Sequence, residues 1–218
     1  PVSPAGSAHL RGLELSGERF LSLGAQGEST WLFRPDEPLS RAAAAYVRTG
    51  HDAGVDQAYK CRVRTPWYRV PLLDAPDLFL TCMNADTPRL AANAAGVHHL
   101  NSVHGVYLDE RVCLLGRELL PLASLNSVTL LSAEMSGRSY GGGILKLEPG
   151  EAASWAMPSC GLVADRADAL RAIRSEVSHA LAKGELLGAV HLVDGILLSD
   201  SGMLTYAELA TVRDAWSS

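Results

Sequence analysis

The chain has 218 residues, 47% hydrophobic and 20% charged, with a formal net charge of −5. That composition is globular and excludes disorder over most of the length, and no apolar run reaches the ~20 residues of a membrane span. The acidic balance also excludes the overall basic bias of a stand-alone nucleic-acid binder.

In chain order, PVSPAGSAHL opens without an initiator Met, a basic n-region or an apolar h-region, and so shows no secretion signal. The spacing in LELSGERFLSL (13–23) predicts two short strands around Gly17. DEPLSRAAAAYVRTG predicts a helix from Asp36, with Pro38 in its first turn and a stop at Gly50. In YKCRVRTPWYRVP (59–71), Tyr59, Cys61 and Val63 alternate with Lys60, Arg62 and Arg64, which predicts a strand with one cationic face, ended by Pro66. Further strands are expected at 77–82, 89–94 and 102–108, between Pro76, Pro88, Gly96 and Gly105. Residues 118–135 read as one long helix with Pro121 in its first turn, and 141–149 as a strand after a glycine loop.

Three amphipathic helices follow. The first carries Leu170, Ile173, Val177 and Leu181 on one face, with Asp165 as a candidate N-cap and Gly184 beyond its end. The second repeats Leu186, Val190, Val193 and Leu197. The third starts with Thr205 and Glu208 at capping-box spacing and stripes Leu209, Val212 and Trp216. The expected class is α+β, with a mixed-sheet domain over 1–150 and a helical tail over 151–218. RDAWSS stops inside the last predicted helix, so both ends read as cut from a longer protein.

Charge is unevenly spread. Residues 148–218 hold ten acids and five bases, and residues 1–147 balance at fourteen each, while 59–71 is locally +4. The cysteines at 61, 82, 113 and 160 never form a C-x-x-C pair, and His98, His99 and His104 lack structural-zinc spacing with Cys82 or Cys113. No metal is expected. Reduced, mostly buried thiols in a cytoplasmic protein are the reading.

GRSYG (137–141) matches G-x-S-x-G, with Asp165 and His191 in hydrolase order. A nucleophile elbow, however, needs a strand before Ser139 and a helix after it, and the predicted order is the reverse. Gly141, Gly142 and Gly143 lack the strand–loop–helix context of a nucleotide loop. They allow either a tight turn or a close approach to a phosphate backbone, flanked by Arg138, Ser139, Tyr140 and Lys146. Lys60, Arg62, Arg64 and Arg69 could contact phosphates or guanine, or form a solvated face. Trp67 and Tyr68 could stack on bases or pack in a core. Asn93, Asn101 and His104 are weaker candidates for base or phosphate contacts.

Taken together, YKCRVRTPWYRVP, PDLFL, PRLAANAAGVHHLNSVHGVYL and SGRSYGGGILKLEPGEAASWAMP resemble the carboxy-terminal half of adenine-specific DNA methyltransferases, the TaqI-like and type I/IIG modification enzymes. The ending LVDGILLSDSGMLTYAELATVRDAW is similar to their helical end. The resemblance spans about residues 38–216, and PWY and GRSYGGG-LKLEP are its most specific blocks. It implies a target-recognition domain for double-stranded DNA, with KCRVRTPWYR and GRSYGGGILK facing the duplex. The family also needs a glycine-rich S-adenosylmethionine loop and an Asn-Pro-Pro-Tyr-type motif, and neither occurs in the chain. Cofactor and catalysis are therefore expected in an upstream catalytic domain, and no activity from this segment. A rival reading is a scaffold for a specificity or restriction subunit, using the acidic helices.

Overall fold

The computed structural model describes residues 1–217. Among the described residues two small sheets sit with ten α-helices, so the α+β class and the helical C-terminal segment are as expected. The first sheet has β1 (Leu78–Thr81) at its centre, between β3 (Leu90–Ala92) and β4 (Val103–Val106), all antiparallel. These are the strands expected at 77–82, 89–94 and 102–108. In the second sheet β6 (Ile144–Lys146) lies between β2 (Met83–Asn84) and β5 (Arg138–Tyr140), again antiparallel. Parallel bridges from Val2 to His98 and from Glu14 to Ala92 add the mixed character.

Both faces of the first sheet are covered, as the unbroken LFLT run requires. Phe79 faces a cluster with Leu10, Leu15, Phe20 and Val103, while Leu78 and Leu80 face Leu145, Leu147 and Trp155. The two sheets are tied where β1 leads into β2, with the Asn84 side chain donating to the Thr81 carbonyl at 3.1 Å. Leu147 donates its amide to the Cys82 carbonyl at 3.0 Å, and the imidazole Nε2 of His104 meets the Leu147 carbonyl at 2.8 Å.

Residues 13–23 are strand-like only in their first part. Leu15 donates its amide to the Ala92 carbonyl and Ala92 donates its own to Leu13; then the Ser16 hydroxyl caps the Arg19 amide and α1 (Gly17–Ala25) begins, burying Phe20 and Leu23. The N-cap overrides the apparent second strand. The next helix, α2 (Arg41–Asp52), starts at the Ser40 cap rather than Asp36 and runs two residues past Gly50.

The strand expected at 59–63 is absent. Tyr59–Arg62 form a single helical turn, α3, reached through a short 3-10 turn at Val55–Gln57. A five-residue alternation cannot become a strand without a neighbour to complete its ladder, and this segment has none.

The long helix expected over 118–135 is two. The first, α4 (Cys113–Ala123), carries Pro121 in its last turn, and α5 (Ser127–Ser136) is re-initiated by Asn126, whose side chain accepts the Thr129 amide at 2.9 Å. The glycine run closes the β5–β6 hairpin, with Gly142 and Gly143 at φ +79° and +76°, values that glycine adopts without strain.

Beyond it come α6 (Pro149–Ser154), α7 (Cys160–Asp165), α8 (Ala167–Ala182), α9 (Leu186–Asp194) and α10 (Tyr206–Ser217), with a π-helical turn at Gly195–Ser199. Asp165 ends α7 and caps nothing; α8 begins two residues later. The Thr205–Glu208 capping box is present, with Thr205 N–H donating to Glu208 at 2.8 Å. Leu170 and Val177 of α8 pack with Leu119 and Leu122 of α4 and with Val193 and Leu197. All four cysteines are free, but only Cys82 is buried; Cys61 and Cys113 are half-buried and Cys160 is exposed. Among the described residues no group of three or more His, Cys, Asp or Glu could hold a metal ion, and no helix is long and apolar enough to cross a membrane.

Candidate nucleic-acid interface

Residues 31–73 form a cation-rich unit built on α2 and α3. The helix α2 buries no residue completely. Its half-buried positions are Ala43, Ala44, Val47 and Gly50, while Arg41 and Arg48 lie exposed on the other side, seven residues apart and so on one face. The end of α2 is pinned to the 3-10 turn by His51, whose Nδ1 meets Asp56 at 2.9 Å. Trp67 lies against Gly50, where a Cβ would come within 2.8 Å of the indole.

The cations here differ from the rest of the protein in what they touch. Arg34, Arg41, Arg48, Lys60, Arg62 and Arg64 have side chains in no ion pair or hydrogen bond among the described residues, and all but the half-buried Arg64 are exposed. Outside this unit only Arg19 and Lys183 are in that state. Every other Lys or Arg is engaged, as in Arg11 with Asp86, Arg117 with Asp77, Arg171 with Glu118 and Arg213 with Asp194. A free guanidinium on the surface is a cation whose partner is solvent.

The expected contact residues therefore divide. Lys60, Arg62 and Arg64 are uncommitted. Arg69 instead pairs with Glu37 at 3.3 Å, and the Tyr68 hydroxyl donates to the same carboxylate at 3.2 Å. Burial and this carboxylate push the Tyr68 phenol up. Trp67 is half-buried and meets Tyr68 edge to face.

On the β5–β6 hairpin, Arg138, Ser139, Tyr140 and Gly141–Gly143 are all exposed. Arg138 Nε reaches Glu151 at 2.7 Å, and Lys146 Nζ reaches Glu148 at 2.5 Å while sitting over the Tyr140 ring at 5.5 Å. The bond to Glu148 holds the Lys146 ammonium above its ordinary value. A phosphate at either cation would meet a charge already balanced by a carboxylate, although both side chains keep further N–H donors.

Asn93 and His104 have structural employment. Asn93 donates to the Pro76 and Val97 carbonyls at 2.8 and 2.9 Å and accepts the Val97 amide at 3.1 Å, which closes its loop. His104 joins the two sheets. Asn101 stays exposed, and its amide bonds nothing among the described residues. Ser139 lies within β5, which follows a helix and leads into the hairpin turn, so the elbow context is missing.

Arg34, Arg41 and Arg48 were not singled out from the sequence. The seven-residue spacing of Arg41 and Arg48 in a predicted helix was the readable signal for two of them.

A family model described as the C-terminal domain of the type II methyltransferase M.Eco57I matches residues 1–198. The type II methyltransferase M.XamI of Xanthomonas campestris pv. amaranthicola is 33% identical over 112 residues, 49% of this chain. The type II methyltransferase M.AccI of Acinetobacter calcoaceticus is 23% identical over 145 residues, 66% of this chain. These matches span 19% and 27% of the two relatives' own lengths. No solved structure matches the chain. The family model runs from the first residue through β1–β6 and into the π-helical turn, and on that coverage the chain belongs to the family of C-terminal domains of type II methyltransferases represented by M.Eco57I.

Proposed function

We propose that this chain is the DNA-recognition segment of an adenine-N6 DNA methyltransferase of a restriction-modification system. In this reading it grips double-stranded DNA, while an upstream domain of the same protein binds S-adenosylmethionine and transfers the methyl group. The observation that carries it is the gathering of uncommitted cations on residues 34–64, in a protein that ion-pairs most of its other Lys and Arg. Cations facing water release condensed counterions when they meet phosphates, which is the source of sequence-independent affinity for a duplex.

The hairpin is the second candidate contact. Arg138, Ser139, Tyr140 and Asn101 are exposed polar groups suited to base edges or sugar, and the glycine turn lets backbone approach closely. The chain's own glycines do not suit the cofactor: Gly141–Gly143 join two antiparallel strands rather than leading from a strand into a helix, as a phosphate-binding glycine loop does. Methyl transfer is accordingly assigned to the upstream domain, and this segment supplies orientation and sequence choice.

Fluorescence anisotropy of a labelled mixed-sequence duplex tests the proposal, comparing the chain with the Arg62→Glu/Arg64→Glu variant at low and moderate salt. Salt-sensitive binding that the variant loses supports it. Binding that ignores both salt and the charge reversal refutes it, and favours a scaffold for another subunit.

A further inference from the structure

An open apolar groove on the same unit is left without a role by phosphate contacts. Its volume is about 430 Å³, within the ~300–1,000 Å³ of small-ligand sites. Four aromatic rings share its lining with the aliphatic Leu32, Val47, Ala53, Val55 and Val70. Phe33 and Tyr46 meet edge to face with centroids 4.8 Å apart, and Trp67 and Tyr68 do so at 5.8 Å. Tyr46 is 64% exposed, so its ring is open to an incoming group. No carboxylate lines the groove, and its one charged lining residue is Arg64, a cation with no partner.

Those features select the occupant. The aliphatic side chains alone would suit an amphipathic helix from another protein, but such a helix has no requirement for a lone cation. Planar rings beside an unneutralised guanidinium suit a flat aromatic ligand that carries an anion. The neighbouring Lys60 and Arg62 repeat the same positive sign. We propose that the groove holds one nucleobase displaced from the duplex stack, with its ring against Tyr46 or Trp67 and its phosphate against Arg64. This rests on the DNA-binding reading above. Stacking on an aromatic side chain tolerates any base, and a base that is already unpaired costs least to withdraw. The groove therefore favours a locally opened duplex without choosing its sequence.

The test uses the whole chain with two duplexes of one sequence, fully paired or carrying a single bulged 2-aminopurine. The protein is compared with Val47→Phe, which places a ring in the groove from a half-buried position on α2. The wild-type chain should bind the bulged duplex roughly 5- to 100-fold more tightly, as expected for one stacked base, with 2-aminopurine emission quenched. Val47→Phe should lose both effects and keep its affinity for the paired duplex. Paired binding without a bulge preference overturns the base site and leaves the DNA reading standing. If neither duplex binds, the DNA reading fails and the base site falls with it. A preference that survives Val47→Phe places the base elsewhere and overturns the proposal. Self-association that Val47→Phe abolishes, without any bulge preference, assigns the groove to a second copy of the chain instead.

Discussion

Asp194 is where a single atom group holds three helices, and Asp194→Ala is the change that reports it. The carboxylate is 0% exposed. It accepts 2.8 Å hydrogen bonds from both the amide and the hydroxyl of Ser127, at the first turn of α5, and pairs at 2.7 Å with Arg213 Nε on α10. An anion at a helix N-terminus is also favoured by the helix dipole. Alanine removes all of this, leaving the buried Ser127 N–H and O–H without an acceptor. Breaking a buried ion pair from one side costs about 3–5 kcal/mol. Arg213 is 29% exposed and can turn to water, so the lower half of that range, about 3–4 kcal/mol, is expected. For a chain of this size that corresponds to a fall in Tm of roughly 6–16 °C. Thermal and urea unfolding followed by circular dichroism would measure it, alongside Arg213→Met and the double variant. The double variant should be less destabilised than the sum of the singles, because Arg213→Met alone strands a buried carboxylate. A loss under ~1 kcal/mol for Asp194→Ala, well below what a buried ion pair should cost, or strict additivity in the cycle, would refute the idea that this carboxylate joins α5, α9 and α10.

Three further outcomes are expected. If Arg34, Arg41, Arg48, Lys60, Arg62 and Arg64 each neutralise one phosphate, log K should fall with log salt at a slope of about −5; Arg41→Gln/Arg48→Gln should reduce that slope by about 2, read by anisotropy titrations at several salt concentrations. Asn93→Ala should leave duplex affinity unchanged while lowering stability by about 1–3 kcal/mol, because three backbone groups lose their partner; equal unfolding midpoints with weakened binding would restore Asn93 to the interface. The Arg171 hydrogen bonds to Glu118 hold that carboxyl below its ordinary value of 4.5, so its folded pKa lies under its unfolded one. The resulting stability is complete above the unfolded pKa and vanishes as pH falls through the folded one. Between pH 5 and pH 3 the wild-type urea midpoint should therefore drop further than that of Glu118→Gln.

The uncommitted cations explain how an acidic chain can still carry a local surface of unneutralised positive charge. Net charge counts every ionised group, whereas a polyanion meets only those that are not already neutralised. Arg138 and Lys146 look as available as Lys60 and Arg62 when read along the chain. In the fold they face Glu151 and Glu148, and the hairpin's local charge is largely cancelled.

Features whose physics is local were readable from the residues. The Thr205–Glu208 capping box, the apolar stripe of α8 and the β1, β3 and β4 strands follow from patterns a few residues long, and all are present. The family was legible too, in blocks such as PWY and GRSYGGG. Where a local cap competed with a periodicity, the cap won: Ser16 converts 17–25 to helix, and Asn126 divides 113–136 into two. Tertiary structure alone decided the rest. Lys60–Arg64 carries strand-like alternation, yet a strand is a non-local object, and with no neighbour to accept its hydrogen bonds the segment turned into a helical loop. Which cations are free, and whether Asn93 and His104 face a ligand or their own backbone, depends on groups brought within 3 Å from distant positions, as with His104 and the Leu147 carbonyl at 2.8 Å. That proximity is a property of the packed chain, because hydrogen bonds and ion pairs act through space over a few ångströms and leave no period in the sequence.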